Sequence, residues 1–369
     1  MNKFIASLNS ILLLIIAATL ISCSHSKAGK DEMSDHYTMS DFASVKKFDT
    51  HVHANKQATA FIEQAQADNF ELLTINVDYP DFPPIDEQQA IALSLTQAYP
   101  KTLYFAATFS MLNWDNPSWA SAVQKRLDKA LADGAKAVKV WKNIGMSFRD
   151  SEQQLVMIDD AGLDPIFNHL SQLHVPVIGH QGEPHNCWLP IEQMSVNNDK
   201  QYFAAHPQYH MYLHPEMPSY EAQMLARNNM LDKHPKMRFI GAHLASLEWS
   251  VDAMSEFLQR YPDATIDLAA RMGQVQAQSV NDLNKVRAFF ITYQDRILYA
   301  TDLTHSSEAA DQEFKNSVHQ KWLEDWRYLN TDSEFTVPEV DGIVTGLKLP
   351  KEVIDKIYYH NARRVFSIN

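Results

Sequence analysis

Apolar and polar positions along the chain fall into two alternating patterns. Short runs rich in β-branched and aromatic residues recur between longer amphipathic stretches. The short runs predict strands at 46–53 (KKFDTHVH), 70–77 (FELLTINV), 102–109 (TLYFAATF), 135–141 (AKAVKVW), 175–180 (VPVIGH), 238–243 (RFIGAH), 264–270 (ATIDLAA) and 296–302 (RILYATD). The stretches between them carry a helical period. In NPSWASAVQKRLDKALADG, Trp119, Val123, Leu127 and Leu131 form one stripe, with Asn116 at the cap, Pro117 in the first turn and Gly134 at the end. Met254, Phe257 and Leu258 repeat the pattern, as do Leu283, Val286, Phe289 and Phe290. A last helix starts at Pro350 and turns Ile354, Ile357 and Val365 inward. Eight strands alternating with helices predict an α/β protein whose parallel sheet closes as a (β/α)8 TIM barrel, with an open doubly wound sheet as the competing arrangement.

The first residues break this pattern. MNKFIASLNSILLLIIAATLISCSHS has a lysine at Lys3, an apolar run from Ile11 to Ile21 and then Ser22-Cys23. The run is too short for a permanent membrane span and has the proportions of a signal peptide. The segment LISC, ending at Cys23, resembles the bacterial lipoprotein box, which implies lipidation of Cys23, a signal peptide over 1–22 and export to the cell envelope, periplasmic or surface-facing. Residues 24–44 are polar and without period, so 23–44 reads as a flexible tether and 45–369 as one folded domain.

Composition narrows the partners. A formal net charge of −13 argues against nucleic acid or an anionic lipid surface, and leaves the lipid anchor as the expected membrane attachment. Homo-oligomerisation stays open. Cys187 is the one other cysteine, so with Cys23 lipidated no intramolecular disulfide forms and the core alone must hold the fold. Neither common glycine-rich phosphate loop is present.

The candidate chemistry falls at strand ends. In a barrel the carboxyl ends of the strands form the catalytic face. The first predicted strand ends in His51-Val52-His53, and side chains two apart on a strand point the same way, so one rigid element offers two imidazoles to one ion. VPVIGH ends in His180, RFIGAH in His243 and RILYATD in Asp302. A lone histidine or aspartate at a strand end is ordinarily a turn or capping residue; five at four strand ends point to a site. Imidazoles with a carboxylate suit zinc or another borderline divalent metal, which lowers the pKa of a bound water to about 7. That use needs an open coordination position, so one of the five residues moves protons instead of binding metal.

FDTHVHAN, GAKAVKVWKNIG, VPVIGHQGEP, MRFIGAHLAS, IDLAAR and ILYATDLT, taken in order, resemble the amidohydrolase superfamily, in its amidohydrolase-2 (amidohydrolase-related) branch. The resemblance covers 47–369. It implies a metal-dependent hydrolase on a TIM barrel. It further implies one divalent ion, zinc before manganese or iron, held by His51, His53, His180 and Asp302, with His243 as general acid/base and Asp302 also taking the proton of the attacking water. The branch includes non-oxidative decarboxylases on nearly the same ligands. Binuclear members of the superfamily carry a carboxylated lysine on strand four, where this chain has Lys139; a single-metal site with Lys139 as a substrate-side cation is preferred, against a half-buried lysine paired with an acid.

Substrate-facing candidates lie beyond the strands. Residues 181–219 form a long connection without a clear period, holding Glu183, His185, Trp188, Tyr202, Tyr209, His210, Tyr212 and His214; such a segment is expected to be a lid or binding element, with Glu183 near the mouth. The segment after strand eight, with Trp322, Trp326, Arg327 and Tyr328, is expected as an opposite wall. Arg271 suits a substrate carboxylate, or else a structural salt bridge. The expected activity is hydrolysis of a small carbonyl compound such as an amide or lactone. Decarboxylation of an aromatic or unsaturated acid is the alternative, and a non-catalytic surface-binding lipoprotein a second one.

Overall fold

A computed structural model describes residues 35–306 and 310–369. The expected signal peptide, the lipidation site Cys23 and the first part of the tether lie outside the described residues. Eight strands run in chain order as β1 (Lys47–Ala54), β2 (Phe70–Ile75), β3 (Leu103–Thr108), β4 (Val138–Val140), β5 (Val177–Gly179), β6 (Phe239–Gly241), β7 (Thr265–Asp267) and β8 (Ile297–Leu298), and a two-residue β9 (Thr304–His305) follows. All neighbours are parallel, in the order β8-β7-β6-β5-β4-β3-β2-β1-β9. The strands β8 and β9 are two halves of one path. Thr50 N donates to Tyr299 O (3.0 Å), Asp302 N to His51 O (2.8 Å) and His53 N to Leu303 O (2.9 Å), so this path closes the sheet onto β1. The expected barrel is the observed fold, and each predicted strand falls on an observed one.

Two apolar layers follow from strand alternation. Inside the barrel sit Phe48, Leu73, Ile75, Ala106, Ala137, Ile178, Ile240 and Leu298, stoppered at the amino-terminal end by Val365 and Phe366. Outside, Val52, Leu72, Phe105, Val138, Val177, Phe239 and Ile266 pack against the helices. Strand β1 breaks strict alternation. Phe48 points in, yet so do His51 and His53; the β1–β2 register slips between Asp49 and Val52, and this bulge switches parity. Without it the two imidazoles would face the helices.

Two expectations are corrected here, and one connection is more ordered than its lack of period suggested. Residues 35–44, expected as tether, pack on the barrel: Phe42 is buried, Trp326 Nε1 donates to Thr38 O (3.0 Å), Tyr37 Oη to Asp355 Oδ1 (2.8 Å) and Lys351 N to Asp35 O (2.8 Å). A polar composition hid four aromatic or carbonyl anchors. The connection 181–219 is ordered by short 3-10 turns and a helix, Asn197–Ala205, around the buried Cys187, Met194, Phe203 and Met211. Beyond Thr304, which lines the cavity, the aromatic residues expected as an opposite wall do not form one. They lie on a 20-residue helix, Asp311–Asn330, whose Trp322, Trp326 and Tyr328 are fully buried against the outside of the barrel, Trp322 stacking on Phe70 at 4.0 Å. Arg327 stays at that helix's outer end, donating to Ser333 Oγ.

Candidate metal centre

Strand β1 delivers His51 and His53 to the carboxyl end of the barrel, and each ring is fixed through Nδ1. His51 Nδ1 donates to Asp267 Oδ2 (2.9 Å) at the end of β7. His53 Nδ1 donates to Ile75 O (2.7 Å) at the end of β2. A ring that donates through Nδ1 presents a bare Nε2 when neutral. Both Nε2 atoms face Asp302 Oδ1, at 3.4 Å from His51 and 3.1 Å from His53. Ligand atoms of His51, His53 and Asp302 lie within 4.8 Å of one another.

His180 and His243 complete the ring of groups. Their ring centroids are 4.2 Å apart, and the His51 and His243 centroids 5.0 Å. His243 Nδ1 donates to Ala269 O (2.9 Å), again leaving Nε2 bare, and His180 Nε2 is buried with no hydrogen-bond partner. All five residues line one cavity of about 170 Å³.

Backbone strain aims two of them. Asp302 has φ +69, a left-handed geometry that aspartate tolerates better than most residues. His243 opens a left-handed turn in which His243, Leu244, Ala245 and Ser246 all have φ between 57 and 59. Such a run costs about 1–2 kcal/mol per residue, and the surroundings hold it. His243 N donates to Asp267 Oδ1 (2.7 Å), Tyr220 Oη to Ser246 O (2.5 Å) and Ser246 Oγ to Gln181 O (2.8 Å), while Arg227 donates to Ala245 O.

Electrostatics match a cation site. Burial pushes the His180 and His243 imidazoles well below the ordinary histidine value, and each is pushed further by neighbouring positive groups. His51 is lowered by burial and by Lys139, against the pull of Asp267. These rings are neutral at pH 7, the form that coordinates metal. Burial alone would raise Asp302, but the histidines around it hold its carboxyl well below the usual carboxylate range. Unprotonated nitrogens and a carboxylate oxygen therefore converge with their lone pairs toward one point, and a divalent cation satisfies them. The donor set fits nitrogen- and oxygen-binding metals such as zinc or manganese.

The other sequence-derived candidates divide. Lys139 is fully buried and enters the cavity, with Nζ 3.2 Å from His51 Nε2, and burial lowers its pKa to about 8. Glu183 does not line this cavity. It pairs with Lys142, which does, and stands in an adjoining chamber. Arg271 lines neither chamber; its Nη1 donates to Ala270 O (2.9 Å) and its buried Nε has no partner. Other contributors were missed, four of them notable. Asp267 braces His51 and His243 together, and its only signal was an acid inside the apolar run ATIDLAA. Lys142, Tyr79 and Phe82 line the cavity from connections whose shape no periodicity predicts, Phe82 standing 5.0 Å from the His53 ring.

The sequence from 96 to 368 matches the model of the Amidohydro_2 family, described as amidohydrolase. The chain belongs to the amidohydrolase family. Among solved structures, this amidohydrolase is similar to 2,6-dihydroxybenzoate decarboxylase from Rhizobium, at 15% identity and a TM-score of 0.50, over 88% of this chain and 99% of that one. The 5-carboxyvanillate decarboxylase from Novosphingobium aromaticivorans, with bound manganese, matches at 11% identity and a TM-score of 0.48, over 89% and 99%. The 4-oxalomesaconate hydratase from Rhodopseudomonas palustris matches at 11% and 0.41, over 81% and 76%. At these identities the likeness is one of fold. No curated protein sequence matches the chain. The protein is a metal-dependent enzyme of the amidohydrolase fold.

Proposed function

We propose that this amidohydrolase hydrolyses a small carbonyl compound, an amide or lactone, at a single divalent metal site held by His51, His53, His180 and Asp302, with zinc ahead of manganese or iron. The observation that carries the reading is the convergence of His51 Nε2, His53 Nε2 and Asp302 Oδ1 within 4.8 Å, beside the unpartnered Nε2 of His180. When bound, the ion supplies Lewis acidity toward a carbonyl oxygen and lowers the pKa of water.

The chain's own groups do the rest. Asp302, kept ionised and with its side chain 29% exposed, accepts the proton of the attacking water and returns it to the leaving group. His243, anchored through Nδ1 to Ala269 O, offers Nε2 as a second proton acceptor. Lys139 supplies positive charge beside the oxygen on which negative charge develops, and the aromatic wall of Phe82, Tyr79 and Trp141 limits access of bulk water.

Non-oxidative decarboxylation is the second reading. It is favoured by Lys139, a buried cation on a cavity this small that suits a substrate carboxylate, with Lys142 beside it in its pair with Glu183. The fold shared with 2,6-dihydroxybenzoate decarboxylase is compatible with it. Incubation of purified protein with amides, lactones and unsaturated or aromatic acids in H₂¹⁸O separates the two. Label in the organic product establishes hydrolysis; release of carbon dioxide with no label in the organic product establishes decarboxylation. Elemental analysis of the purified protein is expected to find about one equivalent of divalent metal; His53→Ala should lose it, whereas His243→Ala should keep it and lose turnover about 10²–10⁴-fold. A protein indifferent to chelation and carrying substoichiometric metal would be a binding barrel.

The apolar run before Cys23 remains the ground for an exported, lipid-anchored protein with the barrel outside the cytoplasm. Among the described residues no helix is long and apolar enough to cross a membrane.

A further inference from the structure

The metal-lined cavity, at about 170 Å³, is smaller than the roughly 300–1,000 Å³ in which small-molecule sites ordinarily fall. A second chamber of about 300 Å³ adjoins it. The two share Tyr79, Trp141 and Lys142 as lining residues, so they lie side by side at the same end of the barrel. The outer chamber is built largely by the connection after β5, which contributes Tyr202, Tyr209, Met211 and Met217.

Its lining is chemically distinct from the inner one. Rings lead outward in steps: His53 to Phe82 at 5.0 Å between centroids, Phe82 to Tyr79 at 5.2 Å, Tyr79 to Trp141 at 4.8 Å. Tyr202 and Tyr209 lie nearly parallel, 6.5 Å apart with 9° between planes. Both are about half exposed, at 46% and 45%, although they are large and partly apolar. Of the acidic residues here, Glu183 is paired with Lys142 and Glu216 stands at the rim with its side chain 66% exposed, so ring faces and thioethers make up much of the remaining lining. Flat aromatic groups are what such surfaces hold, through offset stacking and sulfur–aromatic contact.

We propose that the substrate is an elongated carbonyl or carboxyl compound whose distal end is an uncharged aryl group, seated in the outer chamber against Tyr202, Tyr209 and Trp141, while its reacting end lies among His51, Lys139 and Asp302. The assignment rests on the metal-site reading for the inner end only. Tyr202 and Tyr209 are specificity residues for the distal group and take no part in bond breaking.

Calorimetric titration of metal-loaded protein with acetate, benzoate, 3-phenylpropionate and 4-phenylbutyrate tests it. Affinity should rise about tenfold from acetate to the aryl-tailed acids, the equivalent of one or two aromatic contacts. In Tyr202→Ala and Tyr209→Ala that ratio should fall toward one, with circular dichroism unchanged since both side chains lie near the surface. A flat series in the wild type, or a ratio unaltered by both substitutions, overturns the proposal. The same series on chelated protein separates the two claims. A protein that binds no metal yet keeps the aryl preference defeats the metal reading and supports the outer chamber. Full metal with no aryl preference defeats the outer chamber alone.

Discussion

Asp267 shows how much of the site hangs on one carboxylate. It takes a hydrogen bond from His51 Nδ1 through one oxygen, and from His243 N and Ala269 N through the other. Burial works against its charge, but the pull of His51 prevails and its carboxyl is held below the usual value. Asp267→Asn is expected to weaken metal affinity about 10–100-fold by loosening His51, measured by competition with a chromogenic chelator, while the helical signal is unchanged. Glu248 is a contrasting carboxylate. It is buried, Oε1 accepts from His185 N, Oε2 has no partner, and burial raises its pKa to about 7 from 4.5. A raised acid favours the folded state while protonated. The stabilisation is complete below about 4.5 and is lost as pH rises through about 7. Glu248→Gln should therefore gain thermal stability over the wild type at pH 8 and not at pH 4.5. Parallel melting curves at the two pH values would refute it.

Among the elements, β1 and the stretch before it matter most. The strand was legible from its alternation, and so was the shared direction of His51 and His53. The bulge that turns both inward was not, because its cause is pairing with β2 and not anything local. The predicted helix at Asn116 begins later, at Trp119, with Asn116 Oδ1 accepting from Ser118 N (2.9 Å) in the turn before it. In the last helix the turn at Lys356–His360 is widened, and Ile357 O accepts from Tyr299 N (3.0 Å) just after β8. Residues 35–44 belong to the folded body, and this is directly measurable. Phe42→Ala removes a buried ring packed on Phe70 and Trp326, and should cost about 3 kcal/mol in urea unfolding. A flexible tether would make the substitution neutral.

For the molecule as a whole, closure of the barrel is the event that makes the site. His53 and Asp302 are separated by 249 positions, and His51 and Asp267 by 216. A metal that binds only this closed arrangement stabilises it by mass action, by about 4 kcal/mol when free metal exceeds Kd a thousandfold. Chelation should accordingly lower Tm of the wild type and leave His53→Ala, already without metal, where it is. A wild-type Tm indifferent to both chelator and added zinc or manganese would remove the metal from the account.

The sequence by itself determined the alternation of eight strands with helices and the residues at their carboxyl ends, and favoured a closed barrel over an open sheet. These are local properties, set by side-chain period and by what each run must bury. Only the tertiary structure decided which groups meet. The bracing of two histidines by Asp267, the entry of Lys139 beside His51, the burial of Trp322 and Trp326 away from the site and the aromatic chamber after β5 all depend on where distant segments pack. No periodicity along the chain encodes a distance between residues two hundred positions apart; a closed sheet does.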